Sequence, residues 1–324
     1  MTIAVTGSLA FDYIMTFPGS FEEHILPDQI GNLSLSFLVD SMRREQGGTA
    51  GNIAYGLALL KQPALLMAAI GQDGKEYMSQ LRESGVDTSG VLFLEDEFTA
   101  SFFVSTDTHN RQIANFYPGA MGRSAEISFQ GKDPQAIELA IISPSSPDAM
   151  VQYVRECQQL GIRYMYDPSQ QLPRTDGETL RNCIQGAYML TVNDYEFEMI
   201  KQKTRLSQDD VLDMVQVLVI TRGEAGSTIY AAGEVYHVAA AKPERVADPT
   251  GGGDAYRGGL LAGWRHGLTW LESGRLGALT ATYAIEQHGT QRHSYNINQF
   301  AERYFQNFER TSTIEQFFAT LSTS

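Results

Sequence analysis

Short apolar runs that stop and hand over to a helical pattern recur along this chain, and no other feature restricts its fold as tightly. "TIAVTG" (2–7) comes first, and "GGTAGNIAYGLALLK" (47–61) is a glycine-rich turn leading into a helix. "PALLMAAIG" (63–71) precedes "KEYMSQLRESG" (75–85), "AIELAIIS" (136–143) precedes "PDAMVQYVRECQQLG" (147–161), and "IRYMYDP" (162–168) precedes "ETLRNCIQG" (178–186). "AYMLTVN" (187–193) leads into "DYEFEMIKQK" (194–203), and "VQVLVITRG" (215–223) follows. Strands that are apolar on both faces and separated by helices read as an α/β fold: a mostly parallel sheet flanked by helices. "STIYAAGEVYHVAA" (227–240) reads as a hairpin, with further helices near 255–266, 272–287 and 297–308.

Two stretches break the rhythm. One runs from Asp12 to Gln46 and contains "NLSLSFLV" (32–39), which alternates like a strand. The other places two strand-like runs, Thr99–Ser105 and Arg111–Tyr117, around the turn "DTHN". A hairpin inside an α/β chain suits a lid over a site at the strand ends, and equally an edge hairpin with no role. No linker, repeat or low-complexity segment appears, so residues 1–324 read as one domain with lid segments at about 12–46 and 97–120.

A net charge of −14 argues against a nucleic-acid partner. It also means that an anionic ligand needs a local positive site. The two cysteines, Cys157 and Cys183, fit a reducing compartment. No apolar run is long enough for a bilayer, so a cytoplasmic protein without a membrane partner is expected.

"DPTGGGDAYRGGLLAG" (248–263) carries the chemistry. Glycines at a helix start turn several backbone N–H groups one way, and the helix dipole adds positive charge, which makes an anion hole without a lysine. Asp254 beside that hole would repel the anion unless it takes a proton from an attacking hydroxyl. The arrangement suggests phosphoryl transfer to an alcohol, and a tight turn with Asp254 as a cap is the plainer alternative. "TGSLAFD" (6–12) and "EQGGTAGN" (45–52) place Asp12 and Asn52 where they can hold a vicinal diol, with Gly47 and Gly48 allowing close approach; either residue can equally be a loop or cap residue. In "TVNDYE" (191–196), Asn193 and Glu196 share a helix face, either as an oxygen site for Mg²⁺, often through water, or as a helix cap. "VITRGEAGS" (219–227) can line nucleotide phosphates or be a common turn. There is no G-x-x-x-x-G-K-[ST] and no protein-kinase signature. His288 and His293 can be a metal pair, but a loop lining the site or a solvated turn suits them better.

Together, "GGTAGN", "DPTGGGD" and the N-x-x-E of "NDYE" resemble the two signatures and the Mg²⁺-associated element of the ribokinase-like, or PfkB, sugar and nucleoside kinases, in the same order and over about residues 2 to 308. Within that family, "SLSFLVD", "IANFYPGAM", "DPSQQL" and "HGTQ" are similar to bacterial adenosine kinases of the mycobacterial type. The resemblance implies a ribokinase fold with a small β-sheet lid, and a homodimer in which lids pair. It implies Asp254 as base, with the backbone of Gly251, Gly252 and Gly253 as anion hole. It implies Ser8, Asp12, Gly48 and Asn52 around the ribose, and Phe102 and Phe116 about the purine with Gln170 and Gln171 near it. Ser36 would reach the partner's site. ATP would lie along Asn193, Thr221, Gly223 and Gly226, with Mg²⁺ held by Glu196 through water and a monovalent cation as an open addition. The implied reaction makes AMP from adenosine, and a sugar kinase acting on ribose, fructose or a related polyol is the alternative. The family usually has G-A-G-D where this chain has Gly251–Asp254, and an apolar residue is common where Arg222 stands.

Overall fold

The computed structural model describes residues 1–25 and 34–323. The strands are β1 (Thr2–Thr6), β2 (Ala10–Thr16), β3 (Ser41–Gly47), β4 (Ala64–Met67), β5 (Ala69–Gly71), β6 (Leu92–Leu94) and β7 (Ala100–Thr106). Then follow β8 (Gln112–Tyr117), β9 (Ile137–Ile142), β10 (Tyr164–Tyr166), β11 (Met189–Asn193), β12 (Val217–Thr221), β13 (Ser227–Ala231) and β14 (Glu234–Val238). The large sheet has the order β14-β13-β12-β11-β10-β9-β1-β4. Its strands from β12 to β4 are parallel, and β13–β14 closes one edge as the expected antiparallel hairpin.

Helices cover both faces because these strands are apolar on both sides. Ala4, Ile142, Leu190 and Leu218 pack under helices Pro147–Leu160, Gly177–Ile184 and Asp194–Thr204. Ile3, Val5, Met189 and Val219 face helices Thr49–Leu59, Lys75–Glu83 and Gly252–Arg265. A further cluster joins Trp270–Ile285 to Ile297–Asn307 and Ser312–Thr323. Progression along the sheet reverses at β1, whose neighbours are β4 and β9, so the ligand crevice of an open α/β sheet falls beside the end of β1.

The two interrupting stretches come together in one four-stranded sheet of order β3-β2-β7-β8, with β2–β7 parallel and the outer pairs antiparallel. The strand expected over 32–39 is not there. Asn32 and Leu33 lie outside the described residues, and Ser34–Val39 form no strand. The apolar alternation is spent instead on a cluster in which Phe37 packs edge-on against Phe17 and Phe21. The paired strand is the polar segment Ser41–Gly47, recruited by β2 rather than by its own hydrophobicity. "PALLMAAIG" divides at Ala68, where the second half leaves β1 to pair with β6.

Candidate active site

Several of the residues singled out in the sequence lie at the carboxyl ends of the parallel strands. Ser8 and Asp12 follow β1, Asn193 ends β11, and Thr221, its register partner, ends β12. Helix Gly252–Arg265 opens at the same end. Its N-cap, Gly251, is left-handed (φ 79°) and has no side chain to cap the first turn. The N–H groups of that turn are therefore offered to whatever lies in front of them. A Cβ on Gly251 would meet Thr290 Cγ2 at 2.7 Å, and one on Gly253 would meet Arg257 Nη1 at 2.8 Å. The run is bare because the chain needs a positive φ and close approach there. The glycine in place of alanine at Gly252 has its own cause, since a Cβ would come within 2.9 Å of Ile285 Cγ2.

Asp254 sits in the first turn with Asn52 Nδ2 donating to its Oδ2 at 2.8 Å. Asn52 is buried, and its Oδ1 accepts from Thr290 Oγ1 at 2.7 Å and Gln291 Nε2 at 2.9 Å. The side chain expected at a diol is thus bound first to the candidate base. Burial raises the Asp254 carboxyl above its usual range, Arg257 and Asn52 pull it back, and Glu196 pushes it up. Arg257, one turn further on, is buried and pairs with buried Asp167 at 2.6 Å.

In front of Asp254 lies a cleft of about 710 Å³. Ser8, Asp12, Gly48, Asn52, Phe102, Phe116, Gln170, Gln171, Gly251 and Asp254 all line it. On the small sheet, Glu45, Asp12, Phe102 and Phe116 form one row across all four strands, each paired with the next in register. Burial, with Asp248, Glu45 and Asp254 nearby, pushes Asp12 up to about 6. Gly47 and Gly48 are needed by the chain itself. A Cβ on Gly47 would strike Asp12 Oδ2 at 2.6 Å, and Gly48 (φ 89°) lies against the Ser8–Ala10 backbone. The Ser8 hydroxyl accepts from Thr49 N–H at 3.1 Å. Gln171 is buried, and its Oε1 has no hydrogen-bond partner among the described residues.

Other expected residues stand apart from this cleft. Ser36 is exposed and does not line it, and Asn193, Glu196, Thr221, Gly223 and Gly226 lie beyond its lining. Asn193 and Glu196 form a capping box: Asn193 Oδ1 accepts from Glu196 N–H (2.7 Å) and Glu196 Oε2 from Asn193 N–H (2.8 Å). One Glu196 oxygen is left over, and no group of three or more metal-ligating side chains occurs among the described residues. Gly226 (φ 83°) has no room for a Cβ, which would fall 2.0 Å from Val238 O. Arg222 donates to Thr228 Oγ1 at 2.5 Å, across the turn. His293 is buried and pushed down to about 4, with Tyr55 edge-on to its ring.

Sequence reasoning missed the positive groups that a −14 chain must supply. Arg43 and Arg174 line the cleft, and Arg257 lies beneath the glycines. Arg257 was legible as Asp254 plus three on one helix face. Asp167 gave no local signal.

An open parallel sheet, a small sheet at its carboxyl ends and a glycine-opened helix bearing an aspartate define the ribokinase-like fold. The family model for the pfkB family carbohydrate kinases matches residues 5–296, and the chain belongs to that family. It is 28% identical over 303 residues to the nucleoside kinase of Methanocaldococcus jannaschii, covering 93% of this chain and 96% of that protein. It is 30% identical over 308 residues to the nucleoside kinase of Methanothermobacter thermautotrophicus, covering 93% and 95%. The solved structure of Burkholderia thailandensis nucleoside kinase in complex with inosine matches at a TM-score of 0.85 and 40% identity, over 94% of this chain and 96% of that one.

Proposed function

We propose that this chain is an ATP-dependent nucleoside kinase that phosphorylates the 5′-hydroxyl of a purine nucleoside, with adenosine to AMP as the particular reaction. The row Asp12–Phe102–Phe116 carries the reading. At about 4.8 Å between strands it spans roughly 10 Å, comparable with a nucleoside from its ribose diol to its base. The carboxylate of Asp12 accepts from the diol, and the two rings hold the purine. Gln171 lines the cleft, and its amide, once turned toward the cleft, would accept from a base-edge N–H donor. Adenine and hypoxanthine both offer one. The inosine complex of the Burkholderia relative supports the purine class.

In this reading Asp254 takes the proton of the 5′-hydroxyl as the oxygen attacks the γ-phosphorus of ATP, and ADP leaves on the opposite side. The first-turn N–H groups of helix Gly252–Arg265 receive the charge that develops on the phosphoryl oxygens. Glu196 would hold Mg²⁺ through water, and that ion would neutralise phosphate charge. Asn193, Thr221, Gly223 and Gly226 lie along the nucleotide. Segments 12–46 and 97–120 act as the lid that keeps out water. The lid's outer face carries Met42, Phe103 and Ile113, all exposed, and we read it as the face of a homodimer in which Ser36 serves the partner's site. The enzyme is read as cytoplasmic.

ADP release with adenosine, inosine, cytidine, ribose and fructose tests the assignment. Adenosine should give the highest kcat/KM and inosine the next. Preference for ribose or fructose would move the assignment to the sugar kinases, and no ADP with any acceptor would leave a binding protein on a kinase scaffold.

A further inference from the structure

Asn52 meets Asp254 through an amide that has two possible faces. With Nδ2 forward it donates to the base; with Oδ1 forward it would set an acceptor against a carboxylate. The structure holds the first face by a series of bonds whose directions are all forced. The Gly47 carbonyl can only accept, and Tyr77 Oη donates to it at 2.7 Å. Tyr77 is fully buried, and burial keeps its proton in place. Having spent that proton, Tyr77 Oη can only accept from Gln291, whose Nε2 lies at 2.5 Å. Gln291 is thereby turned with its nitrogen inward, and the same Nε2 donates to Asn52 Oδ1 at 2.9 Å. Thr290 Oγ1 lies 2.7 Å from that oxygen and 3.0 Å from the carbonyl of Gln46.

We infer that Gln291 is a positioning residue, which fixes the amide of Asn52 so that the base always faces a donor, and which ties that orientation to the end of β3. The inference rests on the kinase reading for its consequence in turnover, and on geometry alone for the orientation. Gly47 is the last residue of a small-sheet strand, so a shift of that sheet reaches Asn52 through the Gly47 carbonyl, Tyr77 and Gln291. If Gln291 loses its donor, only Thr290 faces Asn52 Oδ1, and its single proton can turn to the Gln46 carbonyl instead; Asn52 can then turn over, and Asp254 loses the hydrogen bond that favours its ionised form.

Gln291→Leu should raise the acid limb of kcat/KM against pH by about one unit, the size of one lost hydrogen bond to a charged group. KM for the nucleoside should change less than kcat. The isosteric Gln291→Glu, which keeps the volume if the leucine variant folds poorly, should move the limb the same way and further. Asn52→Ala should shift it as Gln291→Leu does, and Asn52→Ala with Gln291→Leu no further than Asn52→Ala alone. An unmoved limb in both Gln291 variants, with circular dichroism showing a native fold, would overturn the inference. So would losses that multiply in the double variant. The Asp254 carboxyl signal in ligand-free protein, assigned by its disappearance in Asp254→Asn, separates the two readings. Were wild type to phosphorylate no nucleoside while Gln291→Leu still raised that titration, the function would fail and the positioning stand. Normal nucleoside turnover with an unmoved titration would have the opposite meaning.

Discussion

Asp254 and Phe116 face one cleft from opposite sides and are held by opposite means. Asp254 lies on the large-sheet side, bonded to an asparagine that is itself held by two donors, with a buried ion pair one turn behind it. Phe116 lies on β8, a strand exposed along its whole length, and is itself 45% exposed. Groups that act on a reacting atom must be fixed to a fraction of an ångström, so they sit where the chain is densest. Groups that recognise a flat apolar base need area more than precision, and can sit on an element free to close over the ligand. The difference predicts that damage to the floor appears in kcat on every substrate, whereas damage to the small sheet appears as lost discrimination between substrates.

The floor should break hardest at Asp254. Asp254→Asn keeps the shape and the neighbours but cannot take a proton, so kcat should fall by roughly 10²–10⁴, with ATP affinity little changed by calorimetry. Near-normal turnover would remove Asp254 from the mechanism. The next effect is Gly252→Val. Its Cβ would approach Ile285 Cγ2 at 2.9 Å, and the branched side chain must displace the first turn. Turnover should drop by about 10² if the N–H groups stabilise the phosphoryl oxygens, with the circular dichroism spectrum retained. Full activity would reduce the glycines to a turn.

Phe116→Ala tests the other side. Stacking on an aromatic side chain is worth roughly 1–3 kcal/mol per base, or about 5- to 150-fold. Adenosine kcat/KM should fall by that factor and inosine similarly, while any activity on ribose should change far less. Equal losses on all three would mean that the ring supports the sheet and not the base. That outcome would erase the division of labour between the two sides.

The same division explains what could be read from the chain. The large sheet was legible because each strand is apolar on both faces and each crossover is local, so period and punctuation place them together. The glycine-opened helix was legible because three adjacent glycines have few structural uses. Helix Ser312–Thr323 was overlooked although Ile314, Phe317, Phe318 and Leu321 keep a helical spacing. Other features had no local signature. β3 is polar and becomes a strand only because β2 offers an edge. The bonds from Asn52 to Thr290 and Gln291 join residues more than 230 positions apart, and only folding brings them together. Phe102 and Phe116 could be matched in advance because a hairpin fixes register locally.

Asp12 belongs to both sides, since it lies on the small sheet but faces Asp254, and its effect is the smallest and most specific. A carboxyl raised to about 6 in the folded chain has its acidic form favoured by folding. The sign follows. Its contribution to stability is fully present below the unfolded value near pH 4 and is lost as pH rises through about 6. Ligand-free wild type should therefore be less stable at pH 8 than the Asp12→Asn variant, by about 2 kcal/mol, the full shift being discounted because part of the carboxyl still meets water. At pH 4 the two should melt together in thermal scans. Nucleoside binding should respond in the opposite sense. The ionised carboxylate is the better acceptor for a diol, so wild-type affinity should fall as pH drops below about 6, whereas Asp12→Asn should bind weakly at every pH. A variant that is stabler at pH 8 yet binds nucleoside as well as wild type would show that Asp12 strains the cleft without holding the sugar. The diol would then have to be assigned to other groups of the cleft wall.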